Sequence, residues 1–343
     1  MQADLNIALK AFNLLPDEHK SPYYHPYYVV ADALRDRDLE PVFFIYKDGG
    51  EIFYYAFHLG KVSGTHFYDI QSPYAYGGPI SSSMDVGFLS SAWQHYLSWC
   101  QDNHILAEFV RFHPLFEDWR YYPGEIQYMR QTVWIGLQQE DIFSSYSTRV
   151  RTAIRKAQKN HLRVAWVNAK IFGPKFTERY TQSMNRLQAD QFYYFHTEYF
   201  QKMGDWDQSY LAFCYQGKEL LAAAIFLKQA YIMEYHLSAA NLEGKRLSAT
   251  NLLLHQAIMT ARKLDCRILH LGGGTDNQDD NPLLFFKSGF SPQRASFRIG
   301  YIIHAPEAYQ QIQSDWRVRY GQCNDKILFY RFPENRKCIT EEL

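Results

Sequence analysis

Ile268-Leu269-His270-Leu271-Gly272-Gly273-Gly274-Thr275-Asp276, followed after a short polar loop by Pro282-Leu283-Leu284-Phe285-Phe286-Lys287-Ser288-Gly289-Phe290, decides how this chain is read. The apolar run reads as a buried strand, the glycines as a turn, and the second stretch as a short helix with one lysine among apolar residues. Asn281 suits the cap of that helix, Pro282 its first turn, and Gly289 the left-handed position that ends it. Lys287 then projects from a rigid element beside a glycine-opened cleft. Such a cation is a candidate for stabilising developing negative charge; a lysine snorkelling from an amphipathic helix is the plainer alternative.

Outward from that stretch, the C-terminal half has a definite order. A strand is predicted over 162–167, helices over 175–187 and 197–203, and three strands over 210–215, 219–227 and 231–239. A helix over 248–264, a strand over 267–271, the short helix 282–288 and a strand over 290–304 follow. A tail from about residue 306 adds a helix and an edge segment. Three strands run consecutively before the crossover helix, so the pattern is mixed α/β and not doubly wound. The N-terminal half repeats the order from Pro41, with strands over 42–47, 51–59, 65–70, 104–112 and 127–137 around a helix over 86–101. Asp48-Gly49-Gly50 marks the first hairpin. The expected domains are residues 1–143 and 162–343, joined by a basic linker helix over 144–161.

Composition narrows the class. The 343 residues hold 36 Lys+Arg and 36 Asp+Glu, so overall charge gives no case for DNA or another polyanion. The five cysteines, Cys100, Cys214, Cys266, Cys323 and Cys338, are scattered and without a CxxC, as in a reduced intracellular protein. No secretory signal opens the chain, and the longest clean apolar run, 220–227, is too short to span a bilayer. A soluble cytoplasmic protein is expected, with peripheral membrane contact left open. Neither HExxH nor paired Cys/His spacing is present, so no metal is expected.

The element order, with its strand, glycine turn and short helix ending in Lys-x-Gly-Phe, is similar to the GNAT acyltransferase fold. The tandem arrangement, the basic helix Arg149 to Lys159 and the glycine-rich strand end before Phe286-Lys287 resemble the FemABX branch of that fold. The segment Asp69-Ile70-Gln71-Ser72-Pro73-Tyr74-Ala75-Tyr76-Gly77-Gly78-Pro79, with Arg111-Phe112-His113-Pro114-Leu115, resembles its shorter relatives, N-acyltransferases of cell-surface polysaccharide pathways. The resemblance covers roughly Leu15 to Ala305. It implies tandem GNAT-like domains and places a catalytic role on Lys287. In two places the chain departs from the GNAT pattern. Asn241-Leu242-Glu243-Gly244-Lys245-Arg246 keeps only the central glycine of the pyrophosphate loop, and Phe285 stands where many relatives carry a tyrosine acid.

The remaining candidates follow from residue chemistry within that frame. Alternation puts Glu234, His236 and Ser238 on one face of their strand, where Glu234 or His236 could deprotonate an amine or form a structural pair. Ser248-Ala249-Thr250-Asn251 opens a helix whose N–H groups, with Gly244, Lys245 and Arg246 upstream, could hold a donor phosphate; capping by Ser248 is the alternative. Tyr74, Tyr76, Gly77 and Gly78 suit a sugar or peptide, or else a Gly-Pro turn with core tyrosines; Arg111 joins the substrate candidates by resemblance. Gly273 could let substrate approach backbone closely or simply form a flexible turn leaving the strand, and Asp276 could bind an amine or solvate its loop, as could Asp279 and Asp280. Arg149 and Arg155 belong to a basic helix that is a solvated face, a dock for a nucleotide-linked substrate, or a tRNA contact.

The expected function is amide formation. An acyl or aminoacyl group would move from acyl-CoA or a similar carrier, with no tightly bound cofactor, to an amine of an amino sugar or cell-envelope precursor. The alternatives are an aminoacyl-tRNA-dependent peptidyltransferase acting on a peptidoglycan precursor, and a non-catalytic GNAT-like RNA- or ligand-binding module.

Overall fold

The computed structural model describes residues 2–276, 278, 280–320 and 325–332. In chain order the elements are β1 (Gln2–Ala3), α1 (Leu5–Leu14), α2 (Pro26–Ala33), β2 (Leu39–Asp48), β3 (Glu51–Lys61), β4 (Tyr68–Gln71), β5 (Gly78–Ser81), α3 (Val86–Asp102), β6 (Ile105–Phe112) and β7 (Glu125–Gly136). They continue with α4 (Ile142–Ser145), α5 (Thr148–Lys159), β8 (Arg163–Val167), α6 (Ala169–Leu187), α7 (Thr197–Gly204), β9 (Ser209–Gln216), β10 (Glu219–Gln229) and β11 (Ile232–Ala240). The last are α8 (Leu242–Arg246), α9 (Ala249–Lys263), β12 (Ile268–Gly273), α10 (Pro282–Ser288), β13 (Arg294–Ile303) and α11 (Pro306–Tyr320). Two compact units form: Met1–Arg130 with Ser296–Leu343, and Gln131–Ala295.

In the first unit the strand order is β1-β2-β3-β4-β6-β13, with β5 added to β3; β4 and β6 run parallel and the other pairs antiparallel. Alternation on these strands sends Phe44, Phe53, Tyr55, Val110 and Phe112 to the face covered by α3, where they meet Phe88, Trp93 and Tyr96. The opposite face carries Phe109 and Arg111 from β6, and Asp69 and Gln71 from β4.

The second unit runs β7-β12-β11-β10-β9-β8, and only β11 and β12 are parallel. Met233, Leu269 and Leu271 point to α5 and α9, into a core with Val150, Ile154, Leu253 and Ile258. The other face lies under α6 and α7, whose Phe176, Tyr180, Tyr199 and Phe200 are buried.

Several expectations change. The basic helix is no linker: Val150, Ile154 and Ala157 are fully buried in the second unit's core. Burying Val150 and Ile154 alone contributes roughly 1.5–3 kcal/mol each. The expected domain ends also move, because β13 from Ser296 onward and the tail join the first unit. Helix 144–160 is two helices, separated where Ser147 turns extended and caps α5 by accepting from the Val150 amide. The sequence reading begins its elements at Pro41 and so omits α1 and α2. Pro26 occupies the first turn of α2, where its missing N–H costs nothing. Gly289 is not left-handed, with φ −69°. It is glycine because a Cβ there would lie 2.5 Å from Val150 Cγ2. Asp279, Cys323, Cys338 and the expected edge segment beyond residue 332 lie outside the described residues. Among the described residues no helix is long and apolar enough to cross a membrane.

Candidate active site

β11 and β12 pair in parallel over only three positions, Ile232 with Ile268, Met233 with Leu269, and Glu234 with His270. Beyond Glu234 the strands part. β11 stays bonded to β10 up to Ala240, while β12 bulges against β7 between His270 and Gly272. Gly272 supports that bulge with φ +74°, a conformation that favours glycine. The parting of two parallel strands at their carboxyl ends leaves backbone edges that a ligand can occupy.

Buried side chains mark the point of parting. His270 Nδ1 lies 2.8 Å from Glu234 Oε2, and His270 Nε2 lies 3.0 Å from Thr132 Oγ1. Glu234, His270 and Thr132 are each at most 1 % exposed. The Thr132 hydroxyl also donates to the Ala295 carbonyl at 3.2 Å. One hydroxyl proton serves only one of these contacts. Directed at Ala295, it requires Nε2–H to donate to Thr132, and a further proton then sits between Nδ1 and the Glu234 carboxylate. The arrangement can therefore hold a proton at the strand parting.

The sequence names Glu234 but passes over His270 and Thr132. The signal for His270 is a single polar residue inside Ile-Leu-His-Leu, on the face opposite the apolar core. Thr132 has no such signal, because its role depends on β7 crossing beside β12. His236 lies on the same face as Glu234 but has a separate partner, the Tyr199 hydroxyl at 2.5 Å.

Lys287 sits at the carboxyl end of β12, beyond the point of parting. Asn281 caps α10 by accepting from the amides of Leu283 and Leu284, and its own amide donates to Thr275 Oγ1 at 2.8 Å. Gly274 makes room for that cap, since a Cβ there would lie 2.5 Å from Asn281 Oδ1. Lys287 is 7 % exposed and donates from Nζ to the Gly273 carbonyl at 2.6 Å. It is therefore a buried, anchored ammonium rather than a snorkelling one. The neighbouring Phe285, where a tyrosine acid stands in many relatives, is exposed, with the Arg149 guanidinium 4.1 Å from its ring centre.

The donor-phosphate candidates are arranged differently from expectation. Gly244 lies in α8, and its amide donates to the Asn241 side chain at 2.6 Å. A Cβ on Gly244 would meet the Leu221 carbonyl at 2.3 Å, so the glycine serves the close approach of α8 to β10. Arg246 pairs with Glu243, and its Nε donates at 2.7 Å. Lys245 is exposed. Ser248 does not cap α9: it is left-handed, φ +61°, and its side chain makes no cap hydrogen bond to Ala249 or beyond. Asn251 follows in the first turn with its amide on the Ser248 carbonyl.

The expected substrate residues do not all meet in one unit. Tyr74, Tyr76, Gly77, Gly78 and Arg111 belong to the first. There Tyr74 donates its amide to Asp32 at 2.7 Å, and Tyr76 is buried edge-on to Tyr23 and Phe297. Gly77 packs on Ser72 and donates its amide to the Arg111 carbonyl, while Gly78, φ +123°, pairs with Ala56. In the second unit Arg149 donates to the Phe285 carbonyl at 2.8 Å and Arg155 lies over the Phe143 ring. Arg151 donates to the Tyr146 carbonyl, and Lys156 to that of Arg246 at 2.6 Å. Most of the basic helix is thus engaged within its own unit. Asp276 accepts from the Gln278 amide, as a turn residue does.

Comparison with known proteins bears on the fold. Residues 144–304 match the family described as an acetyltransferase (GNAT) domain. FemX superposes with a TM-score of 0.68 at 11 % identity, covering 91 % of this chain and 99 % of FemX. The C-terminal domain of a putative lysylphosphatidylglycerol synthetase from Agrobacterium fabrum gives 0.57 at 10 % identity, covering 92 % and 98 %. L-PGS from Bacillus licheniformis gives 0.58 at 11 % identity, covering 86 % and 90 %. No curated protein sequence matches. Residues 144–304 thus match an acetyltransferase (GNAT) domain, and the chain as a whole has a fold similar to that of FemX.

Proposed function

We propose that this acyltransferase forms an amide, moving an acyl or aminoacyl group from an activated carrier to the amine of an amino sugar or another cell-envelope precursor. The observation that carries the reading is the anchored Lys287 ammonium at the end of β12, the strand that also supplies His270 to the buried Glu234 pair. The amine nitrogen attacks the carrier's carbonyl carbon, the C–N bond forms, and the carbonyl oxygen becomes an oxyanion. Collapse breaks the bond to the carrier's sulfur or oxygen, which leaves with the proton lost by nitrogen.

Lys287 supplies positive charge for the oxyanion, and a fixed donor of that kind is typically worth ~3–4 kcal/mol. The Glu234–His270 pair is too buried to touch the amine directly and acts as a positioning and proton-holding group behind the cleft. Phe285 cannot protonate a leaving group, which supports the leaving group's taking the amine's own proton. The carrier is an acyl-CoA or a similar thioester, bound beside α8 and the start of α9. Lys245 and Asn251 there are its candidate phosphate contacts.

The test offers purified protein either acetyl-CoA or aminoacyl-tRNA together with a nucleotide-linked amino sugar. Product amide is read by mass spectrometry. Lys287→Ala is expected to lower turnover about 10²–10³-fold while leaving the unfolding midpoint close to that of the unaltered chain. Unaltered turnover in that variant would sink the oxyanion role. Product from aminoacyl-tRNA alone would replace the thioester carrier with the tRNA-linked one.

A further inference from the structure

The first unit has a partly open cavity of about 190 Å³ that the proposed acyl-transfer steps do not use. Phe109, Arg111, Met129 and Ile299 line it from the sheet, and Leu328 and Phe332 from the C-terminal segment. It is smaller than the ~300–1,000 Å³ of drug-sized sites, so it suits a small molecule or the end of a larger one.

Charge in this cavity is unevenly compensated. Arg331 is held by Asp69 through two contacts of 2.6 and 2.7 Å, and the Lys326 ammonium lies 3.8 Å from the Phe332 ring centre. Arg111 differs. It is 5 % exposed, its guanidinium donates to two neutral carbonyls, those of Ser72 and Pro73, and it lies 5.5 Å from the Phe109 ring centre. Its Nε is buried with no hydrogen-bond partner. Asp32, the acid whose charge acts on it, already accepts from Arg35 Nε at 2.8 Å and from the Tyr74 amide at 2.7 Å. Burial pushes the Arg111 guanidinium down to about 10, which shows the cost of holding it charged there. A buried cation without a paired anion is a destabilising feature unless a bound anion completes it.

We propose that this cavity binds a small apolar carboxylate, its chain or ring against Phe109, Met129, Ile299 and Phe332 and its carboxylate paired with Arg111. The site is a property of the first unit and stands or falls apart from acyl transfer in the second.

Titration calorimetry of the whole protein with 3-phenylpropionate, and with the neutral 3-phenylpropanamide of nearly the same shape, tests this. The carboxylate is expected to bind saturably and the amide at least about tenfold more weakly, since charge-assisted hydrogen bonds are roughly twice as strong as neutral ones. Met129→Trp, which fills the cavity and leaves Arg111 in place, is expected to abolish binding. Arg111→Met is expected to make acid and amide equal. Absence of saturable binding, equal affinity of acid and amide for the unaltered protein, or undiminished binding by Met129→Trp would overturn the proposal. The last two readouts decide even if Arg111→Met does not fold.

Discussion

The two units share a frame and use it differently. Each has antiparallel strands, a helix, and then a strand that pairs in parallel with one of them: β4 with β6 in the first, β11 with β12 in the second. In the first unit the acid of that pair, Glu108, points to the helix side and is saturated. It accepts from Tyr96 and Tyr122 at 2.5 Å each and contacts His304 Nε2 at 2.9 Å. In the second unit Met233 and Leu269 face α5 and α9, and the polar pair Glu234–His270 points the other way. One unit therefore spends its buried acid on holding α3 and β13 together. The other keeps its acid and histidine at the point where the strands separate.

Glu108→Leu should give the largest effect. It takes their acceptor from His304 and from three buried tyrosine hydroxyls, those of Tyr96, Tyr122 and, at 3.5 Å, Tyr55, and breaking such a network costs about 3–5 kcal/mol. Urea unfolding reads this directly. A loss below about 1 kcal/mol would mean that the first unit's acid is not a structural knot, and the contrast with the second unit would disappear.

Glu234→Gln comes next and should act on rate more than on stability. Glutamine can still contact His270 but cannot hold an added proton, so turnover should fall about 10²-fold while affinity for the amine changes little. A stability loss as large as that of Glu108→Leu, with turnover intact, would make the second pair structural as well.

The neutral histidines sharpen the comparison through pH. His25 caps α2 in the first unit by accepting from the Tyr27 amide at 3.1 Å, which requires an unprotonated Nδ1. Burial, with Lys20 nearby, pushes its pKa down from 6.5 to about 4. The unfolded chain therefore binds more protons between those values. The stability His25 contributes is full above pH 6.5 and is lost as pH falls towards 4, by roughly 2–3 kcal/mol. His25→Asn keeps an acceptor for the cap and does not titrate, so it should flatten that part of the stability curve. An unchanged curve would assign the acid loss elsewhere, for example to buried His58, whose pKa is also lowered by burial.

Which parts of this were legible follows from what carries a local signal. Strands β9 to β12 and the helix between them are visible because alternation, Gly217 and the glycine run punctuate them. The cap of α10 is visible because Asn-Pro followed by apolar residues has one common reading. Unit boundaries were not legible, since β13 looks continuous in sequence and its division at Ser296 comes only from long-range pairing. Nor was the job of Gly244 or Gly289. Both suit a ligand loop or a left-handed turn by type, and both are glycine because another element packs within van der Waals distance. The same limit hid Thr132, whose neighbour in space is 138 residues away in sequence.

Asn281→Asp should give the smallest effect on stability and the finest discrimination at the site. Aspartate still accepts from the Leu283 and Leu284 amides, so α10 keeps its cap, and a charge at a helix N-terminus offsets part of any loss. What disappears is the donor to Thr275 Oγ1, the tie between α10 and the turn after β12. The unfolding free energy should change by less than about 1 kcal/mol. If Lys287 works by being fixed relative to Gly273, loosening that turn should lower kcat several-fold with KM nearly unchanged, and Asn281→Ala should lower both kcat and stability. Equal kcat in Asn281→Asp and the unaltered chain would show that the Lys287–Gly273 contact alone positions the ammonium, with the turn playing no part.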